Sequence, residues 1–225
     1  IFNYHNEADK NSEWSYEDQD NWGRINKNCS GSNQSPINIG YNVKPNPGLR
    51  LNIPAAPTSN VIVENTGYTA QISFANDQLW QITGSAVNHE TFTFSQLHFH
   101  WSENYRTGSE HALYGRKFSG EAHFVFYNQK YGTFEKASSQ PDGLTVLGVF
   151  LKLSYYDNQR LNGMITVLGN IEEAKSKIES YFDVTTVLPF NRKRFFRYSG
   201  SLTTPPCSEN VNWIVFATPI RISSH

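Results

Sequence analysis

Short apolar runs separated by turn-forming residues dominate the hydrophobic pattern of the chain. These runs are rich in β-branched and aromatic residues and have the length of strands. They lie at residues 60–64, 69–74, 79–82, 91–101, 120–127, 144–153 and 212–216. Turn formers such as Asn65-Thr66-Gly67 and Pro141-Asp142-Gly143 separate them. The pattern predicts a domain built mainly from strands in one large sheet.

One segment has the period of a helix instead. Asn170 can cap a helix with Glu173 three residues further on. The apolar residues that would then share one stripe are Ile171, Ala174, Ile178 and Tyr181. We therefore expect a surface helix that begins near Asn170.

Length and composition favour a single domain over residues 1–225. Hydrophobic residues make up 38% and aromatic residues 14% of the sequence, which is enough apolar surface for a sizeable core. No repeat or linker marks a domain boundary. Residues 1–20 are polar and irregular, and we expect an arm that packs on the body through Trp14, Tyr16 and Trp22.

The charge of the chain argues against nucleic acid or an anionic membrane as a partner. Lys and Arg number 19 and Asp and Glu number 20, giving a net charge of −1, with the signs mixed along the chain. No apolar stretch approaches the roughly 20 residues that span a bilayer. We therefore expect no transmembrane segment.

The two cysteines, Cys29 and Cys207, lie far apart and lack C-x-x-C spacing, which disfavours a redox motif. From spacing alone they are either one disulfide or two free thiols. A bond between them would suit an oxidising compartment, and N-x-S sequons at Asn28 and Asn33 point weakly the same way.

Two histidines occupy alternate positions of one predicted strand. Alternation sends Gln96, His98 and His100 to one face and the apolar residues between them to the other. The two imidazoles start about 6.5 Å apart at the backbone, close enough to converge on one tetrahedral ion. Alone, this H-x-H pattern is a weak signal, because histidines in a half-buried strand can simply form hydrogen bonds.

A second predicted strand strengthens the case, since it carries Glu121 and His123 on one face. A zinc-bound imidazole normally donates its other N–H to an acceptor, and Gln96 and Glu121 each stand two residues before a histidine. Three histidines with a fourth position open to water describe a catalytic zinc site, because a structural site fills all four positions with protein groups. The two strands therefore predict a Zn²⁺ site formed by His98, His100 and His123.

Seven motifs match one known family in order and spacing. They are WSY at 14–16, QSPINI at 34–39, QLHFHW at 96–101, GSEH at 108–111, GEAHFVFYN at 120–128, GLTVLGVFLKL at 143–153 and YSGSLTTPPCSENVNWIVF at 198–216. With them the chain resembles the α-class carbonic anhydrases, in particular the secreted, disulfide-containing type, over nearly its whole length. The resemblance implies a mixed α+β, β-dominated domain around a large central, mostly antiparallel twisted sheet with a few short peripheral helices.

The resemblance also implies roles for residues that have no diagnostic spacing of their own. Thr203 would accept a hydrogen bond from zinc hydroxide and donate its own proton to Glu110. The residues implied for the carbon dioxide pocket are Val125, Val146, Leu202, Thr204, Val211 and Trp213. Of these, Val125 alone has support from strand alternation, because it shares a face with His123.

Two prolines, Pro205 and Pro206, stiffen the loop that carries Thr203, and the family places a cis peptide before the second proline. In the secreted members the cysteines corresponding to Cys29 and Cys207 are joined. Such a disulfide would tether the catalytic loop to the N-terminal region.

The implied reaction is the reversible hydration of carbon dioxide to bicarbonate and a proton by zinc-hydroxide attack. Zinc can lower the pKa of bound water from 15.7 to about 7. Each cycle must then export a proton, and Tyr68 stands where the fastest members carry a shuttle histidine. Phenols ionise only near pH 10, so we expect an active but slower enzyme. His5, His89 or His225 could substitute, but the sequence gives no geometry with which to choose.

Two rivals stay open at this point. One is a catalytically weak binding or matrix protein with the same fold, which the presence of His98, His100, His123, Thr203 and Glu110 disfavours. The other is a zinc hydrolase for esters or peptides, which would need a separate acid or base near the metal. The favoured enzyme is a secreted carbonate dehydratase with carbon dioxide and bicarbonate as substrates, inhibited by anions and sulfonamides.

Overall fold

A computed structural model describes residues 14–223 of the chain. Its strands are β1 Asn38–Ile39, β2 Asn60–Asn65, β3 Ala70–Phe74, β4 Gln81–Ile82, β5 Phe92–Trp101, β6 Ala112–Leu113, β7 Gly120–Asn128, β8 Leu144–Leu153, β9 Lys177–Tyr181, β10 Phe195–Gly200, β11 Val211–Phe216 and β12 Ile220–Ile222. Its α-helices are α1 Trp22–Ile25, α2 Phe134–Ala137 and α3 Asn162–Leu168. Short 3₁₀ turns lie at Tyr16–Asn21, Lys27–Ser30, Ser85–Val87, Gln129–Tyr131, Gln159–Leu161 and Val184–Val187.

Within the described range, ten strands form one large twisted sheet in the order β10-β11-β8-β7-β5-β3-β2-β9, with β12 beside β8 and β4 beside β5. Most neighbours are antiparallel, but β8 pairs in parallel with β11 and β12. Strands β1 and β6 form a separate parallel pair. This is the β-dominated single domain with a few short helices that the sequence predicts.

Apolar clusters cover both faces of the central strand β7. Ala122, Phe124 and Phe126 belong to one cluster, whereas Val125 belongs to another that includes Trp213. Each large apolar side chain contributes about 1.5–3 kcal/mol when fully buried. Because a shift of one residue would exchange these faces, the packing fixes which residues of β7 point toward Trp213.

The predicted strands are present, with small changes at their ends. The prediction for 144–153 coincides with β8, whereas the run at 79–82 contributes only the two residues of β4. Five strands were not predicted, namely β1, β6, β9, β10 and β12.

The helix expected from Asn170 is wrong. Helix α3 ends at Leu168, before that residue, and β9 pairs antiparallel with β2. The fully buried Asn65 donates from Nδ2 to the carbonyl oxygens of residues 171, 172 and 173, at 3.0, 3.3 and 3.0 Å. A helix would use those carbonyls for its own hydrogen bonds, so this long-range contact outweighs the local capping signal.

The three aromatic residues expected to anchor the arm pack together and against Tyr68. The ring centroids of Trp14 and Trp22 are 5.3 Å apart, and Trp14 stacks on Tyr68 at 4.7 Å. Tyr16 lies 5.5 Å from Trp14. The first thirteen residues of the expected arm lie outside the described range. No helix within that range is long and apolar enough to cross a membrane.

Candidate metal centre

Neighbouring strands bring the three predicted ligands together. His98 on β5 lies directly opposite His123 on β7, and His100 follows two residues later on the same face of β5. The ring centroids are 4.6–5.2 Å apart. One ligand atom from each ring lies within 4.8 Å of the other two. The cluster therefore has the size of a single metal site.

Hydrogen bonds orient two of the rings in the way expected. The Oε1 atom of Gln96 accepts from Nδ1 of His98 at 2.8 Å, and Oε1 of Glu121 accepts from Nε2 of His123 at 2.9 Å. Both oxygens are acceptors, so each imidazole donates there and keeps the lone pair of its other nitrogen. Those lone pairs are available to a metal ion.

The third ring contributes a buried nitrogen without a partner. Among the described residues, Nε2 of His100 has no hydrogen-bond partner, although Oε2 of Glu110 lies 3.4 Å away. A buried polar atom left unpaired is costly, and a metal ion would satisfy it. Three neutral nitrogen donors suit Zn²⁺, so the residues present fit that ion.

Burial keeps the cluster neutral. Loss of solvent, reinforced by His123, lowers the pKa of His98 to about 3. Burial also lowers the pKa of His100 and of His123. Because metals bind the neutral imidazole, these shifts favour ligation over protonation.

A buried carboxylate supports His123 from behind and belongs to a longer network. Glu121 accepts from Nδ1 of His111 at 2.7 Å and from the backbone N–H of His111 at 2.9 Å. The hydroxyl of Tyr198 lies 2.6 Å from Nε2 of His111. Burial alone would raise the pKa of Glu121, but His111 and His123 outweigh it and hold that pKa well below its usual range.

Sequence reasoning missed two residues that support Glu121. The sequence assigned no role to His111, and its place directly after Glu110 in the GSEH motif was the available signal. Gly148 lies opposite His123 on β8, and a Cβ there would lie 2.9 Å from Oε1 of Glu121. A glycine in the middle of an apolar strand is itself a sign of such close approach.

The structure places Glu110 and Thr203 beside the cluster and joins their side chains by a hydrogen bond. Oε2 of Glu110 lies 3.7 Å from Nδ1 of His123. Burial, with a smaller effect of Glu121, raises the pKa of Glu110 to about 8, while the bond to Thr203 opposes the shift. A nearby divalent cation would favour the ionised carboxylate.

The loop after Leu202 is tied to the N-terminal region. Cys207 forms a disulfide with Cys29, and the peptide bond between Pro205 and Pro206 is cis. Both features agree with what the resemblance implies. Thr204, which was predicted for the pocket, is partly buried in this loop.

Five of the six residues predicted for the carbon dioxide pocket lie in or against one apolar cluster, and Thr204 is the exception. Val125, Val146, Val211 and Trp213 are buried there, and Leu202 packs against them. The ring of Trp213 lies 4.8 Å from that of His123. The cavity beside the histidines has a volume of about 950 Å³ and is lined by residues outside this apolar cluster, including Tyr16, Tyr68, His100, Glu110 and Thr203. The apolar wall therefore stays a prediction.

Tyr68, the predicted relay position, stands at this cavity beside Trp14. Its buried hydroxyl has no hydrogen-bond partner within residues 14–223. His89 lies exposed in a turn with φ of 62°. His5 and His225 lie outside the described residues.

Three neutral histidines on adjacent strands of a central sheet converge on one site, which is the arrangement of a mononuclear metal enzyme. A family model described as eukaryotic-type carbonic anhydrase matches residues 17–225. The chain therefore belongs to the eukaryotic-type carbonic anhydrase family, and membership supports carbonate dehydratase activity and a zinc cofactor.

Individual relatives agree with the family match. Carbonic anhydrase 6 of Canis lupus familiaris is 35% identical over 234 residues, covering 96% of this chain and 70% of the relative. Carbonic anhydrase 6 of Homo sapiens is 35% identical over 224 residues, covering 94% and 71%. Carbonic anhydrase 7 of Mus musculus is 35% identical over 217 residues, covering 93% and 81%.

Proposed function

We propose that the chain hydrates carbon dioxide at a zinc ion held by His98, His100 and His123, in a secreted enzyme whose turnover is limited by proton export. The observation that carries the proposal is the convergence of three neutral imidazoles on adjacent strands. When bound, Zn²⁺ would act as a Lewis acid that makes water nucleophilic near neutral pH.

The protein's own groups orient the reactants. Gln96 and Glu121 hold His98 and His123 in the tautomers that leave their lone pairs free. The Thr203 hydroxyl, which shares a hydrogen bond with Glu110, would accept a hydrogen bond from the nucleophile and so aim an oxygen lone pair at carbon dioxide. The apolar cluster that contains Val125 suits an uncharged substrate.

The proton released in each cycle needs a carrier. Tyr68 places no imidazole at the relay position, and its hydroxyl has no hydrogen-bond partner in the described part of the chain. We therefore expect mobile buffer to carry the proton. The disulfide supports an extracellular or otherwise oxidising location.

Stopped-flow hydration of carbon dioxide tests the proposal. The purified protein should hold one zinc per chain, lose activity on chelation and regain it when zinc returns. His100→Asn should abolish activity, whereas His89→Asn, the same change at an exposed turn, should not. An aromatic sulfonamide should inhibit the wild type. A zinc-loaded wild type without hydration activity would favour the binding or matrix protein instead.

A further inference from the structure

Strand β5 loses its β3 neighbour between two of the proposed ligands. The ladder joins Gln71 to His98 and Ile72 to Leu97, and β3 begins at Ala70. Beyond this point β5 continues through the residues that include His100. The backbone of Phe99, the residue between the two histidines, therefore needs another partner on this side.

One side-chain hydroxyl fills that role. The N–H of Phe99 donates to Oγ1 of Thr69 at 3.1 Å, and Oγ1 of Thr69 donates to the carbonyl oxygen of Phe99 at 2.6 Å. A single hydroxyl thus satisfies both polar backbone groups of the residue that separates His98 from His100. Phe99 is 7% exposed, so water is a poor substitute for this bond.

We propose that Thr69 is a positioning residue for the metal site, acting through the backbone of Phe99. The inference rests on the proposed zinc site and adds to it a residue that touches neither metal nor substrate. By fixing the peptide units on either side of Phe99, the hydroxyl would hold His98 and His100 at the spacing that one ion requires.

The same residue also holds the turn that carries Tyr68. The backbone N–H of Thr66 donates to the carbonyl oxygen of Thr69 at 2.9 Å, and the N–H of Thr69 donates to Oγ1 of Thr66 at 3.1 Å. Thr69 therefore links the turn at the proton-relay position to the strand that carries two ligands. We expect loss of its hydroxyl to lower the affinity for the metal.

Zinc affinity measured by chelator competition at neutral pH tests the proposal. Thr69→Val keeps the shape of the side chain but removes the hydroxyl, and it should weaken zinc binding about tenfold or more, the range found for groups that orient metal ligands. Thr69→Ser should stay close to wild type because it restores the hydroxyl. Thr93→Val, the same change at a buried position of β5 away from the ligands, is the matched control.

Two further measurements separate positioning from general destabilisation. The visible spectrum of the cobalt-substituted Thr69→Val protein should change, whereas that of Thr93→Val should match wild type. Thr69→Ala serves if Thr69→Val does not fold, and it should also bind zinc more weakly. Wild-type affinity in a folded Thr69→Val or Thr69→Ala protein overturns the inference, as does an equal loss in Thr93→Val. A wild type that does not bind zinc overturns the proposed function first.

Discussion

At the scale of single residues, the site combines three histidines with one acid, Glu110, and burial has shifted the pKa values of the histidines and of that acid in opposite directions. The imidazoles of His98, His100 and His123 have lowered pKa values, whereas the pKa of Glu110 is raised to about 8. These shifts link the stability of the metal-free protein to pH.

We expect the metal-free protein to lose stability as the pH falls from 6.5 to 5. Below pH 6.5 the unfolded chain takes up protons on three histidines whose protonation is disfavoured in the folded protein. The free energy of unfolding therefore falls as the pH falls. The folded protein keeps one proton on Glu110, which opposes this effect. Each proton by which the unfolded chain exceeds the folded one adds about 1.4 kcal/mol per pH unit to the slope. Urea unfolding across this interval measures it.

Above pH 6.5 the free energy of unfolding should instead fall as the pH rises. Of these four groups Glu110 is then the one that carries a proton in the folded protein and not in the unfolded chain, until the pH passes about 8. Glu110→Gln should remove the fall in stability above pH 6.5 and steepen the loss below it, because the proton that opposes that loss is gone. A metal-free protein whose unfolding free energy is flat between pH 5 and pH 8 would contradict the shifts.

The residue at the relay position sets the expected rate. Tyr68→His should raise turnover at low buffer concentration about tenfold or more, since a positioned imidazole can accept the exported proton. Tyr68→Phe should match wild type, because the phenol is not expected to relay. The wild-type rate should rise with added imidazole buffer, as stopped-flow kinetics would show. A buffer-insensitive wild type, or a slow Tyr68→Phe protein, would speak for relay through the phenol.

At the scale of elements, local patterns predicted most strands and missed what depends on distant contacts. Alternation along β5 and β7 was enough to place the three histidines together, because both strands lie in the middle of the sheet where packing enforces period two. The helix proposed from Asn170 failed because the carbonyls it needed are bound by Asn65, more than a hundred residues earlier. Glu110 and Thr203 lie in loops, so only the family resemblance indicated them.

The contact between Asn65 and the carbonyls of residues 171–173 leads to a prediction about stability. Asn65→Ala leaves three carbonyls and the N–H of Gly67 without their side-chain partner, and should lower the unfolding free energy by about 3 kcal/mol. Asn170 is the control, because its amide is exposed and, among the residues that the structure describes, donates only to the carbonyl of Thr166. Asn170→Ala should cost no more than about 0.5 kcal/mol by chemical denaturation. Equal losses would mean that Asn65 is not what holds the 171–173 segment.

At the scale of the whole molecule, one covalent bond and a set of hydrogen bonds join the N-terminal region to the segment on both sides of Thr203. The disulfide links Cys29 to Cys207 across a separation of 178 residues. Nearby, the backbone N–H of Asn33 donates to Oε1 of Glu209 at 2.7 Å, and Ser35 donates to Oγ of Ser201 at 2.9 Å. The two kinds of contact act on different states of the chain.

The disulfide restricts the unfolded chain, whereas the hydrogen bonds exist only in the folded one. In the chain-entropy treatment a loop of this length is worth about 5 kcal/mol, and measured losses are commonly 2–5 kcal/mol. We therefore expect the double variant Cys29→Ser, Cys207→Ser to unfold at lower urea concentration.

Where the double variant is still folded, its zinc affinity and initial hydration rate should stay near wild type, because Glu209 and Ser201 still hold the loop. Glu209→Ala should show the opposite balance, with a smaller loss of stability and a lower hydration rate at constant zinc content. If the folded double variant instead lost activity in proportion to stability, the disulfide itself would position Thr203, and the hydrogen bonds would be secondary.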